Sequence, residues 1–255
     1  MEKSIIMELE KTYIFRTDTG TQNENRALTL SALQRIIVVI SEEHLENIGL
    51  DVPFLMREYG VSWILLSMSV DIKSPIRDGE RLSVRTWHTE KKGVYFRREI
   101  EVCHPDGSVA AVAATFSSIF DMKSRRLSTD PEVLEKVHQL GDGNKLLEAE
   151  SRIRIKPDDF PVVMTQKVMP SWIDSLGHVN NFRYGDLIVD ALPEEARANL
   201  GNLSRYEIGF TGELRLGESV ELRLKEENGE ILVAGIRSTD GKAAFLAKLV
   251  FLKKI

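Results

Sequence analysis

Two stretches of this 255-residue chain carry the same pattern of apolar residues and turn glycines 138 positions apart. Val70, Ile72, Ile76, Gly79, Leu82 and Val84 are matched by Ile208, Phe210, Leu214, Gly217, Val220 and Leu222. The period-2 alternation on either side of each glycine marks half-buried strands joined by a turn. Further on, Asp106-Gly107 and Asp240-Gly241 each stand between alternating apolar runs, a strong hairpin signal. Their offset is 134, so the second half is four residues shorter in between. A chain duplicated in this way has to fold as two similar strand-rich units.

Upstream of each strand set lies one segment of helical periodicity. In the first half, Leu33, Ile36, Ile37, Ile40, His44 and Ile48 recur at the spacing of one helix face, with Ser31 and Gln34 placed as a capping box and Gly49 as a stop. In the second half, Tyr184, Leu187, Ile188, Ala191 and Leu192 do the same before Pro193. Each half reads strand, helix, then long antiparallel strands. One helix covers one face of such a sheet, which predicts an α+β fold with each sheet wrapped around a central helix and paired with its duplicate. Residues 121–160 turn polar, with a short helix expected near Pro131 to Leu140 and Gly-Asp-Gly at 141–143, and read as a connector packed on the surface. The halves are expected to divide at 1–145 and 146–255.

Composition narrows the class. Hydrophobic residues at 42% and charged residues at 29% are those of a globular protein with an ample core. No apolar run approaches the roughly 20 residues that span a bilayer. The segment Met1 to Glu8 has no basic stretch followed by an apolar core, so no secretory signal is visible. Cys103 is the single cysteine; it excludes an internal disulfide, suits a small buried or half-buried strand position, and fits a reducing, cytoplasmic setting. A net charge of −5 argues against general nucleic-acid binding. Metal-ligand clusters, phosphate loops and dinucleotide fingerprints are missing, so no cofactor and no metal is expected.

Chemistry concentrates in Trp172-Ile173-Asp174-Ser175-Leu176-Gly177-His178-Val179-Asn180-Asn181, which leads from a strand into the second helix. This places a carboxylate, an imidazole and two carboxamides at a helix start, where unpaired backbone N–H groups can hold an oxyanion. A carboxylate there can activate water for attack on an acyl group. The same residues suit structural work: Asp is common in turns, a lone His often fixes a loop, and Asn180 and Asn181 are ordinary N-cap residues. The matching stretch of the first half, Thr17 to Asn25, offers Asp18, Gln22, Asn23, Glu24 and Asn25 but no histidine, so that half is not expected to carry the reactive site.

Over nearly its whole length the chain resembles the acyl-acyl carrier protein (acyl-ACP) thioesterases. In the first half the resemblance rests on Trp63-Ile64-Leu65-Leu66, on Pro75 and Gly79 with Val84-Arg85-Thr86-Trp87, and on Phe96-Arg97-Arg98-Glu99. In the second it rests on Asp174, His178-Val179-Asn180-Asn181, Tyr184, and the strand with Glu213 and Gly217. The resemblance implies two tandem hot-dog domains, the first binding the acyl chain and the second catalytic, and hydrolysis of fatty acyl-ACP to free fatty acid. It implies Asp174, His178 and Glu213 as the catalytic set, although Glu213 on its alternating strand suits a surface acid equally. One position departs: the family's Asn between Asp and His is Leu176, which can neither orient water nor bond a thioester carbonyl. Asn180, Asn181 or a backbone N–H would have to replace it. The run Gly177-His178-Val179-Asn180-Asn181 also looks like hot-dog thioesterases acting on acyl-coenzyme A, and a non-catalytic acyl-binding protein is the reading in which Leu176 marks a decayed site.

An acidic carrier protein implies a positive docking patch on a chain of net negative charge. The candidate groups are Lys91-Lys92, Arg97-Arg98, Lys123 with Arg125-Arg126, and Arg152, Arg154 and Lys156. Tunnel depth is expected to depend on residues such as Met56, Leu66, Met68 and Phe116. The exposed strand edges of such sheets also allow pairing of two copies into a homodimer.

Overall fold

The computed structural model describes residues 10–138 and 143–252. The segment Met1 to Glu8, Leu140, and Gly141-Asp142 of the connector lie outside the described residues. The first half runs β1 (Glu10–Arg16), α1 (Leu30–Asn47), α2 (Val52–Tyr59), β2 (Val61–Ile72), β3 (Arg81–Lys92), β4 (Tyr95–Cys103), β5 (Val109–Asp121) and the short β6 (Arg126–Leu127). Helix α3 (Pro131–Val137) opens the connector. The second half runs β7 (Val162–Lys167), α4 (Arg183–Ala191), α5 (Glu194–Ala198), β8 (Leu203–Phe210), β9 (Ser219–Glu227), β10 (Glu230–Arg237) and β11 (Ala243–Phe251).

The two expected sheets are one. Ten antiparallel strands follow the order β1-β3-β4-β5-β2-β8-β11-β10-β9-β7, with β6 paired to β5. The halves join where β2 pairs with β8, and the register is that of a local two-fold: Met68 faces Ile208, Ser69 faces Glu207 and Val70 faces Tyr206. Ser69 and Glu207 are the residues that the 138-position offset equates. Both Asp-Gly pairs turn hairpins as expected, β4 into β5 and β10 into β11. The Asp106 and Asp240 carboxylates accept the N–H two residues on.

Helices α1 and α4 lie side by side on one face of this sheet. Leu33, Ile36, Ile37 and Ile40 of α1 and Leu187 and Ile188 of α4 share a single core with Val70, Val84, Ile100, Ile208, Val220 and Val233 of the strands. The approach of the helices is close at Gly185, where a Cβ would stand 2.3 Å from Gln34 Oε1 and 2.6 Å from the Ser31 nitrogen. That crossing corrects the expected cap of α1. Thr29, not Ser31, is the N-cap, its hydroxyl accepting the Ala32 N–H at 3.1 Å. Gln34 is fully buried against α4 instead of reaching back to a cap. The Gly49 stop is as expected, at φ 69°.

The connector covers the opposite face. Leu147 packs on Val112 and Ala114 of the first half, and Ile153 and Ile155 pack on Ala234, Ile236 and Leu246 of the second. A buried pair anchors it: Arg97 and Glu99 on β4 bond each other, Arg97 Nη2 donates to the Leu147 carbonyl, and Glu99 Oε2 accepts the Leu146 N–H. Arg97 and Arg98 are each only 4% exposed, so this pair of the expected basic groups is no docking patch. Cys103 is free and half-buried. Among the described residues no helix is long and apolar enough to cross a membrane.

Candidate active site

The loop into α4 is built by its own backbone. The Asp174 N–H donates to the His178 carbonyl at 2.9 Å, Ile173 bridges Val179, and Gly177 takes φ 83°, a conformation that a β-carbon disfavours. The first half repeats the construction: Asn23 N–H to the Ala27 carbonyl at 2.9 Å, a Gln22–Leu28 bridge, and Arg26 at φ 57°. Asn23 and Ala27 occupy the places of Asp174 and His178. The loop is present twice, and only the second copy carries an acid and an imidazole.

Asp174 divides its oxygens. Oδ1 accepts the Leu176 N–H at 2.8 Å, the turn role open to any Asp, while Oδ2 faces His178 Nδ1 at 3.5 Å. The side chains are about a fifth to a quarter exposed, open to one side of the cavity. Val179 N–H donates to the Leu214 carbonyl, which ties the loop to the segment bearing Glu213. Glu213 has its own partners: Arg125 Nη2 meets both carboxylate oxygens at 2.9 and 3.1 Å, and Arg215 Nη2 meets Oε2 at 2.7 Å. Burial alone pushes the Glu213 carboxyl up. The Arg215 hydrogen bond and the charges of Arg125, His178 and Arg215 outweigh it and hold the carboxyl below its ordinary value. The asparagines differ from expectation. Phe182 is the N-cap of α4 and makes no side-chain cap bond. Asn180 Oδ1 accepts the Phe182 N–H, and the Asn180 N–H is taken by the Trp172 carbonyl at 2.9 Å.

Asp174, Leu176, His178, Asn180, Asn181 and Glu213 all line one cavity of about 560 Å³. It continues into the first half between Ile37, Val38 and Leu45 of α1 and Trp63, Ile64 and Leu66 of β2. Of the four residues expected to set its depth, only Leu66 lines it. Met68 is buried in the core, Met56 is exposed, and Phe116 lies on the connector face under the Arg97 guanidinium. Two further lining residues come from the first half: Glu42, to which no sequence signal pointed, and Arg125, expected only as part of a basic docking group. Glu42 of α1 feels Asp174: burial, then that charge, pushes its carboxyl up. Arg125 is presented by a tight turn in which the Asp121 carboxylate accepts the Lys123 and Ser124 N–H groups and Arg125 itself takes φ 58°.

Residues 9–137 match the model of the acyl-ACP thioesterase N-terminal domain, and residues 157–251 match that of the C-terminal domain. The chain belongs to the acyl-ACP thioesterase family. Members of this family hydrolyse the thioester of a fatty acyl group on acyl carrier protein, and this chain is a thioester hydrolase of that kind. Solved structures of the same fold include an acyl-ACP thioesterase from Bacteroides thetaiotaomicron, 22% identical with a TM-score of 0.83 over 95% of this chain and 98% of that one. They also include the 12:0-ACP thioesterase from Umbellularia californica, 15% identical with a TM-score of 0.84 over 96% and 98%. A putative oleoyl thioesterase from Lactobacillus plantarum is 19% identical, with a TM-score of 0.79 over 96% and 97%. The fold is therefore the double hot-dog of these thioesterases. No curated protein matches the sequence.

Proposed function

We propose that Asp174 is the general base of this thioesterase and His178 its general acid, acting on an acyl chain that enters the first-half cavity. The observation that carries this is the divided carboxylate: one oxygen is fixed by the Leu176 N–H while the other faces His178 at the cavity wall. Asp174 takes a proton from water as the water oxygen bonds to the acyl carbon. The C–S bond then breaks, His178 gives a proton to the departing carrier thiolate, and fatty acid and carrier thiol leave. In this reading Leu176 contributes through its backbone, and Asn181, which lines the cavity, meets the thioester oxygen. Direct attack by Asp174 to form an anhydride is the competing chemistry.

Glu213 serves better as an electrostatic partner than as a base. A carboxylate already holding two guanidiniums has little proton affinity to offer. In this reading residues 1–145 supply the acyl cavity and 146–255 the reacting groups. Arg125 and Arg215, half-exposed beside the cavity, are the cations for an acidic carrier protein. A cytoplasmic setting fits the single cysteine, and a second copy would pair at the β1 or β7 edge, a reading that light scattering in solution tests.

Free thiol released from matched acyl chains on carrier protein and on coenzyme A, by wild type and by Asp174→Asn, tests the assignment. Release from the carrier substrate should fall by about 10²- to 10⁴-fold in the variant with the thermal midpoint retained. A fully active variant would refute Asp174. Equal turnover of both substrates, unaffected by Arg125→Ala, would instead favour acyl-coenzyme A hydrolysis, and tight acyl binding without release would mark a binding protein.

A further inference from the structure

The cavity is not apolar throughout. Away from Asp174 its wall includes Arg98, His88, Thr115, Ser62 and Ser117. Arg98 lies on a straight row across the sheet, paired with Thr115, which pairs with Met68, which pairs with Ile208. Arg98 is therefore three strand spacings, about 14 Å, from β8, the strand that leads to Glu213. It shares the helix-facing side of the sheet with Met68 and Ile208, so its guanidinium points toward α1 and the cavity.

Arg98 is 4% exposed and its guanidinium only partly satisfied. Nη1 donates to His44 Nδ1 at 2.9 Å and to Thr86 Oγ1 at 3.0 Å, while Nη2 has no partner. His88, 5% exposed, likewise has an unpartnered Nδ1. No described carboxylate pairs with Arg98. A buried donor left open is costly, and a cation more so, unless a ligand completes it. A cavity built for a plain alkyl end would place aliphatic or aromatic side chains here.

We propose that this end of the cavity is a polar subsite for an oxygen function carried by the acyl chain remote from the thioester, a hydroxyl, oxo or carboxylate group that accepts from Arg98 Nη2. The inference rests on the reading that the acyl chain occupies this cavity. Burial holds the Arg98 guanidinium down to about 9, still protonated at neutral pH, so it remains a donor for such an oxygen. A methyl-ended chain would leave Nη2 open, and sites that lose a buried hydrogen bond discriminate strongly between otherwise matched substrates.

The test compares kcat/KM of the wild-type protein across a length series of acyl-carrier-protein thioesters ending in methyl, ω-hydroxyl or ω-carboxyl. At the fitting length an oxygenated chain should exceed its methyl-ended match by at least about tenfold. In Arg98→Met that ratio should fall to near one, whatever happens to the absolute rate. Because the variant removes bonds to His44 and Thr86, the wild-type series decides alone if the variant fails to fold. Affinity of the Asp174→Asn protein for free ω-hydroxy, ω-carboxy and methyl-ended fatty acids gives the same ratio without turnover. That ratio in binding, together with no hydrolysis of any substrate by the wild-type protein, would sustain the subsite and sink the catalytic assignment. Methyl-ended chains preferred or equal at every length, in both turnover and binding, would overturn the subsite.

Discussion

Arg125 of the first half holds both carboxylate oxygens of Glu213 in the second, at 2.9 and 3.1 Å. The two residues are 88 positions apart, and their contact lies in the wall of the cavity, across the duplicated halves. The clamp makes Glu213 a fixed negative charge beside His178, since the guanidiniums of Arg125 and Arg215 favour its ionised form.

Glu213→Gln should therefore cost far less activity than Asp174→Asn, at most about tenfold in kcat/KM. Its pH signature follows from the lowered carboxyl. The clamp's contribution to stability is present above the unfolded glutamate value of about 4.3 and is lost as pH falls through the lower folded value. With the pair a third to a half exposed, that contribution is below about 1 kcal/mol. Thermal midpoints of wild type and Glu213→Gln should differ slightly at neutral pH and converge in acid. A loss of activity in Glu213→Gln equal to that in Asp174→Asn would return Glu213 to the role of base.

Leu176→Ala tests whether the family's missing asparagine matters. The side chain is 43% exposed, and the Asp174 contact is made by the backbone N–H, which alanine keeps. Stability should change by no more than about 0.5 kcal/mol and kcat/KM by only a few-fold. A hundredfold loss would show that the leucine side chain itself shapes the reacting geometry.

Glu99→Ala should be among the more damaging single changes. Glu99 is fully buried, pairs with Arg97 and accepts from the connector at Leu146. Removing one partner of a buried pair costs about 3–5 kcal/mol, because the other charge is left uncompensated. Urea unfolding should show that loss, and limited proteolysis should find new cuts near residues 144–150. Unchanged protection there would separate the connector from this anchor.

Gly185→Ala places a methyl group against Gln34 and the Ser31 backbone, where the helices have no room to part without disturbing their shared core. Overpacking of this kind costs about 1–3 kcal/mol. A denaturation midpoint equal to wild type would mean that α4 shifts off the backbone at Leu30 and Ser31, with Gln34 swung aside, at no cost.

The sequence by itself determined everything that repeats locally: the duplicated strand–turn–strand units, both Asp-Gly hairpins, the apolar faces of α1 and α4, the Gly49 stop, and the loop from Asp174 to His178. Period, turn chemistry and helix punctuation are written in neighbouring residues, so they survive without knowledge of the fold. Tertiary structure decided what depends on residues far apart. It made one sheet from two by pairing Ser69 with Glu207, and it buried Gln34, the expected partner in the cap of α1, against α4. It also turned Arg97 and Arg98 from surface charges into buried ones on opposite faces of the sheet, and gave Glu213 its partner in Arg125. Alternating side chains on a strand show no preference for face until a helix or a connector covers each side, and charges acquire partners only when the chain brings distant strands together.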